Sequence, residues 1–170
     1  MKTASASICD YNTERQDLKQ AWGDFLGELA NWDWFATLTF RDPGPGNGSW
    51  TKPGWGYAKN AFKGFVAAVQ PVLGAAEYVR MFELQKERGV PHIHALLSAP
   101  ELPRREEAWA WWWPRYGFAR ILPYDHKLGA RYYLCKYIAK DIADIEFSSG
   151  LDKAVTACYS RGRNETEMSR

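Results

Sequence analysis

Two pairs of side chains, about forty residues apart, have the types and the spacing that chemistry requires. His92 and His94 stand in PHIHALL, and Tyr133 and Tyr137 stand in YYLCKYIAK. Imidazoles are common metal ligands, and a phenol is a nucleophile that can form a covalent intermediate. Together the two pairs could cleave a phosphodiester bond by covalent attack with metal assistance, whereas either pair alone would indicate little.

The histidine pair is predicted to lie on one face of a strand in a β-hairpin. Side chains alternate along a strand, so His92 and His94 share a face and the apolar residues between and after them share the other. If the turn centres on residues 87 and 88, Glu83 pairs with His92, and Met81 pairs with His94. This register buries the apolar face and brings a carboxylate beside the two imidazoles.

Two imidazoles and a carboxylate suit a divalent metal ion that keeps positions open for water or phosphate oxygens. Glu77 and Glu87 are weaker candidates for the acidic ligand, because one lies at the far end of the hairpin and the other in its turn. The alternative is a solvated strand face that carries two histidines without a metal. His126 precedes the last predicted helix and is expected at the surface.

The tyrosine pair lies in a segment that is predicted to be helical from about 128 to 142. At about 100° per residue, four side chains fall within one arc opposite the apolar residues: Tyr133, Tyr137, Lys136 and Lys140. We expect this arc to face outward, with Tyr132 pointing away from it in a structural role. Nearby positive charge favours the phenolate that a nucleophilic attack needs. The alternative is an amphipathic surface helix whose tyrosines have no chemical role.

The segments that must position these residues alternate between helical and extended patterns. Helices are predicted at about 13–30, 57–69, 104–113 and 128–142, and strands at 34–40, 77–85, 91–98 and 117–123. The strand content includes one clear hairpin, which favours an α+β sandwich with a mainly antiparallel sheet of about five strands. A Pro/Gly-rich loop at 41–56 is either a ligand-facing flap or an inert linker.

Length and composition predict one domain over 1–170 with a polar tail at about 148–170. No GxxxxGK[ST] motif occurs, so neither a P-loop helicase nor a nucleotide cofactor is expected. Three cysteines and an N-terminus without an apolar signal core predict a reducing, cytoplasmic setting. No apolar run approaches the roughly twenty residues that a membrane span needs, so we expect a soluble protein.

Charge is concentrated around the tyrosines, although the net formal charge of the chain is only +2. Between residues 115 and 140 a single acid, Asp125, stands against six basic residues: Arg115, Arg120, Lys127, Arg131, Lys136 and Lys140. We interpret the arginines Arg115, Arg120 and Arg131 as candidates for contacts with DNA. The nine tryptophans could stack on unpaired bases, although most are expected in the core.

Three ordered motifs, FATLTF, PHIHALL and YLCKYIAK, resemble those of the HUH endonuclease superfamily, specifically the rolling-circle replication initiators of plasmids and single-stranded DNA phages. The match spans roughly residues 34 to 142, and YxxKYxxK is similar to the two-tyrosine branch. The resemblance implies a ferredoxin- or RRM-like sandwich and a Mg²⁺ or Mn²⁺ ion. It also implies ligand roles for Glu83, His92 and His94.

The same resemblance implies a reaction in which Tyr133 is the principal nucleophile and Tyr137 the second, with Lys136 and Lys140 assisting near the phosphate. The expected activity is site-specific nicking of single-stranded DNA or an extruded origin hairpin, leaving a 5′-phosphotyrosine and a free 3′-OH. A host helicase and polymerase would act as partners in a prokaryotic cell that carries a plasmid or phage.

Three other classes of protein remain open. A single-tyrosine HUH transposase would not need the second phenol. A non-catalytic RRM-like module would need neither histidine pair nor tyrosine pair, and no segment matches its RNP1 motif. A histidine-triad phosphoesterase would need a third histidine where Leu96 stands.

Overall fold

A five-stranded antiparallel sheet forms the centre of the molecule. The computed structural model describes residues 8–44, 51–70, 76–135 and 144–157. The strands are β1 (Trp34–Thr39), β2 (Glu77–Leu84), β3 (Pro91–Ser98), β4 (Ala119–Pro123) and β5 (Ile145–Phe147), in the sheet order β4-β1-β3-β2-β5. The helices are α1 (Ile8–Leu29), α2 (Trp55–Val69) and α3 (Arg105–Arg115), with a short π-helical segment, Arg131–Cys135. The predicted α+β class with an antiparallel sheet of about five strands is confirmed.

The central hairpin adopts the predicted register. Glu83 pairs with His92 and Met81 pairs with His94 across β2 and β3. The turn is closed by a hydrogen bond of 2.9 Å from the Gln85 N–H to the Val90 carbonyl. The register is well determined because turn position and hydrophobic alternation agree, and a slip by one residue would exchange the two faces.

Each face of the sheet packs against different helices. One face, with Trp34, Ala36 and Leu38 of β1, packs against the aromatic and aliphatic side chains of α2 and α3. We call it the α2/α3 face. The opposite face, which we call the α1 face, packs against α1 and the π-helical segment through Phe35, Leu96 and their neighbours. Alternation along the strands therefore supplies both cores.

Several elements differ from the sequence-based expectations. Helix α3 continues through Pro114 to Arg115, because a proline in the last turn removes only one hydrogen bond and the Tyr116 N–H still reaches the Trp112 carbonyl at 2.9 Å. Helix α1 begins at Ile8 rather than at about 13. Strand β5 was not located by its pattern, since three residues carry too little periodicity.

The chain is helical from 149 to 157, where the sequence predicts the start of a polar tail. Leu151 is buried against the α1 face, which supplies the apolar contact that such a short helix needs. Among the residues that the structure describes, no helix is both long enough and apolar enough to cross a membrane.

Candidate functional site

A cleft of about 600 Å³ opens on the α1 face, at the end of the sheet where β1 ends and β3 begins. Both histidines of PHIHALL and one tyrosine of the YYLCKY segment line it. The remaining walls come from β1, β4 and the hairpin turn: Phe35, Thr37, Thr39, Gln85, Arg88, Phe118, Arg120, Leu122 and Tyr132. The α1 face is thus apolar where the helices cover it and polar where the cleft lies.

His94 is held from two sides. Its Nδ1 shares a hydrogen bond of 3.1 Å with the Thr37 hydroxyl on β1, and its Nε2 lies 3.5 Å from Glu83 Oε2 on β2. Strand pairing explains both contacts, since Thr37 is directly opposite His94 in the β1–β3 ladder. Phe35 stacks parallel to the imidazole at 6.3 Å. The ring is therefore buried, and its orientation is defined by neighbouring strands.

His92 lies nearer the mouth of the cleft and is half-buried. Its Nε2 is 3.3 Å from Gln85 Oε1, which also accepts a hydrogen bond from Arg88. Burial lowers the pKa of His92 below its usual value, and the positive charge of Arg88 lowers it further, while Glu83 partly opposes them. Both main effects favour the neutral imidazole, which is the form that binds metals.

The donor set at the cleft was compared with the needs of a divalent cation. Within the described ranges, no group of three His, Cys, Asp or Glu side chains is assembled closely enough to hold a metal ion. Two pairs of donors are nevertheless adjacent: His94 Nε2 lies 3.5 Å from Glu83, and His92 Nε2 lies 3.3 Å from Gln85. Ligands about 2.1 Å from one cation are separated by similar distances. The chemistry of these nitrogen and oxygen donors fits a divalent ion.

Tyr133 occupies the inner wall of the cleft. Its ring lies 4.8 Å from that of Phe35 and 5.2 Å from that of Tyr124, so Phe35 separates it from His94. The phenol oxygen accepts a hydrogen bond of 3.0 Å from the Asp125 N–H. Only 4% of the residue is exposed. An attack by this oxygen would require it to leave the Asp125 N–H and turn toward the cleft.

The expected outward arc of the tyrosine helix is wrong for Tyr133, which is buried, and Tyr132 is exposed instead of structural. Residues 131–135 wind as a π-helix, in which the angle per residue differs from that of an α-helix. Tyr133 and Leu134 consequently both contact the core. Gly23 of α1 permits this close packing, because a Cβ there would lie 2.6 Å from the Arg131 Cβ.

The basic candidates are distributed over three places. Arg120 lines the cleft beside the histidines. Arg115 lines a separate cavity at the end of α3, with its guanidinium 4.6 Å from the Trp111 ring. Arg131 contacts α1 through a hydrogen bond to Gln20. Three further candidates, Lys136, Tyr137 and Lys140, lie outside the described residues.

Sequence reasoning missed four side chains at the cleft: Thr37, Gln85, Arg88 and Phe118. Gln85 follows Glu83 on the same face, so the hairpin alternation could have indicated it. Thr37 is brought to His94 by pairing between strands that are 57 residues apart, and no local pattern reports such a contact.

The fold and the cleft define a class: an α+β domain whose antiparallel sheet presents two histidines, a carboxylate and a tyrosine at one end. Residues 33–142 match the family model described as replication-associated protein ORF2. The chain belongs to this family of replication-associated proteins, and the family points to a role in initiating replication. No curated protein and no solved structure matches the chain significantly.

Proposed function

We propose that the protein is a two-tyrosine HUH endonuclease that nicks single-stranded DNA at a replication origin and later rejoins it. One observation carries the proposal: His92, His94 and Tyr133 line the same cleft in a chain of the replication-associated family. An origin hairpin or an unwound strand would be its substrate. A helicase and a polymerase of a prokaryotic host would act with it in the cytoplasm.

The proposed reaction is a transesterification. The Tyr133 oxygen attacks the scissile phosphorus and loses its proton, a new O–P bond forms, and the P–O3′ bond breaks. The leaving 3′ oxygen takes up a proton and becomes the free 3′-OH, while the 5′ phosphate stays on the tyrosine. The number of phosphoester bonds is unchanged, so rejoining needs no ATP. Tyr137 would perform the second cleavage of a cycle.

The residues around the cleft support this chemistry in distinct ways. His92, His94 and Glu83 would hold a Mg²⁺ or Mn²⁺ ion, with Gln85 as a neighbouring oxygen donor. Such an ion would supply Lewis-acid polarisation of the phosphate. Arg120 places positive charge at the same cleft for the DNA backbone. Lys136 and Lys140 are proposed to assist at the phosphate.

The test is a covalent-adduct assay with Mn²⁺ and single-stranded DNA from the element that encodes the protein. A denaturing gel should show a protein–DNA adduct with the parent, reduced adduct in Tyr133→Phe or Tyr137→Phe, and none in the double variant. His94→Gln should lower the rate of adduct formation by about a hundredfold or more, which corresponds to about 2.7 kcal/mol. Tyr78→Phe, on the opposite face of the sheet, is the matched control and should behave as the parent.

Two results would contradict the proposal. An adduct that persists in the double tyrosine variant would exclude these nucleophiles. Cleavage that is insensitive to a chelator would exclude the cation. Binding of DNA by the parent without any adduct would favour a non-catalytic module.

A further inference from the structure

Three exposed aromatic side chains form a continuous row that ends at the cleft. Trp109 and Trp113 are 40% and 41% exposed on α3, and Phe118, just before β4, is 54% exposed. The two indoles stack with their centroids 5.0 Å apart and their planes at 18°, and Phe118 meets Trp113 edge-on at 6.2 Å. We call these three residues the aromatic row. Phe118 is also part of the cleft wall.

The core does not explain the row. Helix α3 carries four tryptophans, and Trp112 fills the core completely while Trp111 packs partly against it. Trp109 and Trp113 lie on the outer side of the helix, where charged residues are usual. Isolated exposed apolar side chains are ordinary, but contiguous large aromatics at a surface indicate a ligand.

The backbone holds the row in a fixed position. Arg41, at the end of β1, donates hydrogen bonds to the Trp113 and Pro114 carbonyls. The Thr39 N–H reaches the Phe118 carbonyl at 2.8 Å. Between them Gly117 has φ of +137°, and a Cβ there would lie 2.8 Å from the Arg41 nitrogen. Glycine thus allows the chain to turn tightly from α3 into β4.

The location of the row indicates its occupant. Because β4 is the edge strand, the row passes from α3 on one face, around this edge, to the cleft on the other. Arg120 follows Phe118 by two residues and lines the same cleft. The acids of α3 that lie in its first turn, Glu106 and Glu107, are at the end of the helix remote from Phe118. Aromatic surface that leads into a basic cleft matches unpaired bases followed by a phosphate.

We propose that the aromatic row binds unpaired nucleotides that flank the phosphate in the cleft, by stacking their bases on Trp109, Trp113 and Phe118. This inference rests on the proposed function for the identity of the ligand, but it requires no cleavage. Stacking accepts any base, so the row supplies affinity for single strands, and sequence recognition lies elsewhere.

Binding is measured by fluorescence anisotropy of a labelled oligothymidylate of about 15 nucleotides, with the full chain in a buffer that contains a chelator. Trp113→Ala and Phe118→Ala should each weaken binding by about tenfold, and Trp109→Ala by about fivefold. Trp113→Tyr should restore most of the affinity. The slope of log affinity against log salt should stay at the parent value, because aromatic side chains displace no counterions.

Trp55→Ala is the matched control, since Trp55 is also 40% exposed but lies at the start of α2, outside the row. This variant should bind as the parent does. A duplex of the same length should bind the parent more weakly than the single strand and should not discriminate between the parent and the row variants. Thermal unfolding of each variant checks that the fold is kept.

Single-strand affinity that is equal in the parent and in all three alanine variants would overturn the inference, as would a parent that does not bind the oligonucleotide. A dimer of the parent that Trp113→Ala dissociates would overturn it as well, by assigning the row to self-association. Row-dependent binding without any covalent adduct would sustain the row and refute nicking. An adduct in the parent with unaltered binding by the row variants would do the reverse.

Discussion

The two faces of the sheet differ in how completely they are covered, and the difference separates stability from chemistry. The α2/α3 face is filled along its length by aromatic and aliphatic side chains. The α1 face is filled only over part of its length, and the rest is the polar cleft with His92 and His94. Both faces are read from the same strands, one residue out of step. A single alternating pattern therefore builds a core and a site.

The comparison also explains why the cleft residues are well oriented although they are polar and partly buried. The strands that carry His94, Thr37 and Glu83 are fixed from behind by the packed α2/α3 face. Side chains on such a support lose little further entropy when a ligand binds. The apolar face should thus control folding, and the cleft should control activity.

The largest expected effect comes from removing a core side chain of the apolar face. Trp112 is completely buried, and its ring contacts those of Phe40, Phe65 and Tyr116. Trp112→Ala should lower the free energy of unfolding by about 3–5 kcal/mol, because a large cavity replaces the indole. Guanidinium or urea denaturation measures this change.

The neighbouring residue is a matched control for that prediction. Trp113→Ala removes the same side chain from the exposed side of α3 and should cost less than about 1 kcal/mol. Equal losses for the two variants would contradict the assignment of Trp112 to the core and Trp113 to the surface.

The α2/α3 face contains one buried charge that sharpens the comparison. Arg80 is 3% exposed, and its guanidinium lies 4.8 Å from the Phe62 ring and 5.0 Å from the Phe82 ring. It donates two hydrogen bonds to Glu146 of β5, one of them at 3.1 Å from Nε. Burial raises the pKa of Glu146, but hydrogen bonds from Lys59 and Arg80 outweigh it and lower the pKa overall.

Glu146→Gln should therefore destabilise the fold by about 1–2 kcal/mol near neutral pH, less than for a fully buried pair because Glu146 keeps some exposure. A carboxyl whose pKa is lower in the folded chain stabilises it fully above the ordinary value of 4.5, and this contribution is lost as the pH falls through the folded value. The difference in unfolding free energy between parent and variant should shrink as the pH is lowered from 7 through this range. Denaturation at a series of pH values measures it.

An exposed ion pair serves as the control for Glu146. Glu107 pairs with Arg104 at 3.0 Å on the surface of α3. Glu107→Gln should change the unfolding free energy by less than about 0.5 kcal/mol at any pH in the series. A pH-independent difference for Glu146→Gln would show that its carboxylate charge does not stabilise Arg80.

Sequence reasoning was most successful where two local signals agreed. The turn at 86–88 and the alternation of PHIHALL both required Glu83 opposite His92, and the structure has this pair. It was least successful where the outcome depended on distant contacts. Strand β5 has three residues and exists through its pairing with β2. The short helix at 149–157 is explained by Leu151 in the core.

The position of Tyr133 shows a different limit. A helical wheel assumes the α-helical angle, and the π-helical winding of Arg131–Cys135 changes which residues face the core. That winding accompanies the close contact of Gly23 with Arg131, which joins parts of the chain more than a hundred residues apart. No window of local sequence contains both partners.

The smallest predicted effect concerns a contact that only strand pairing reveals. Thr37→Val keeps the shape of the side chain but removes the hydroxyl that bonds His94 Nδ1. When Nδ1 donates to this hydroxyl, the Nε2 lone pair is left available on the side where Glu83 lies. We expect the rate of adduct formation to fall by about threefold to tenfold, with a rise in the Mn²⁺ concentration that gives half the maximal rate.

Thr39→Val is the matched control, because Thr39 lies two residues further on the same face and lines the same cleft but is opposite His92. A role of Thr37 in orienting His94 predicts that excess Mn²⁺ restores part of the lost rate in Thr37→Val, since a misoriented ligand weakens cation binding before it prevents attack. A loss that excess Mn²⁺ does not restore, or an equal loss in Thr39→Val, would mean that the hydroxyl acts on the packing of the strands. The polar half of the α1 face would then depend on general packing, as the apolar face does, rather than on the orientation of one imidazole.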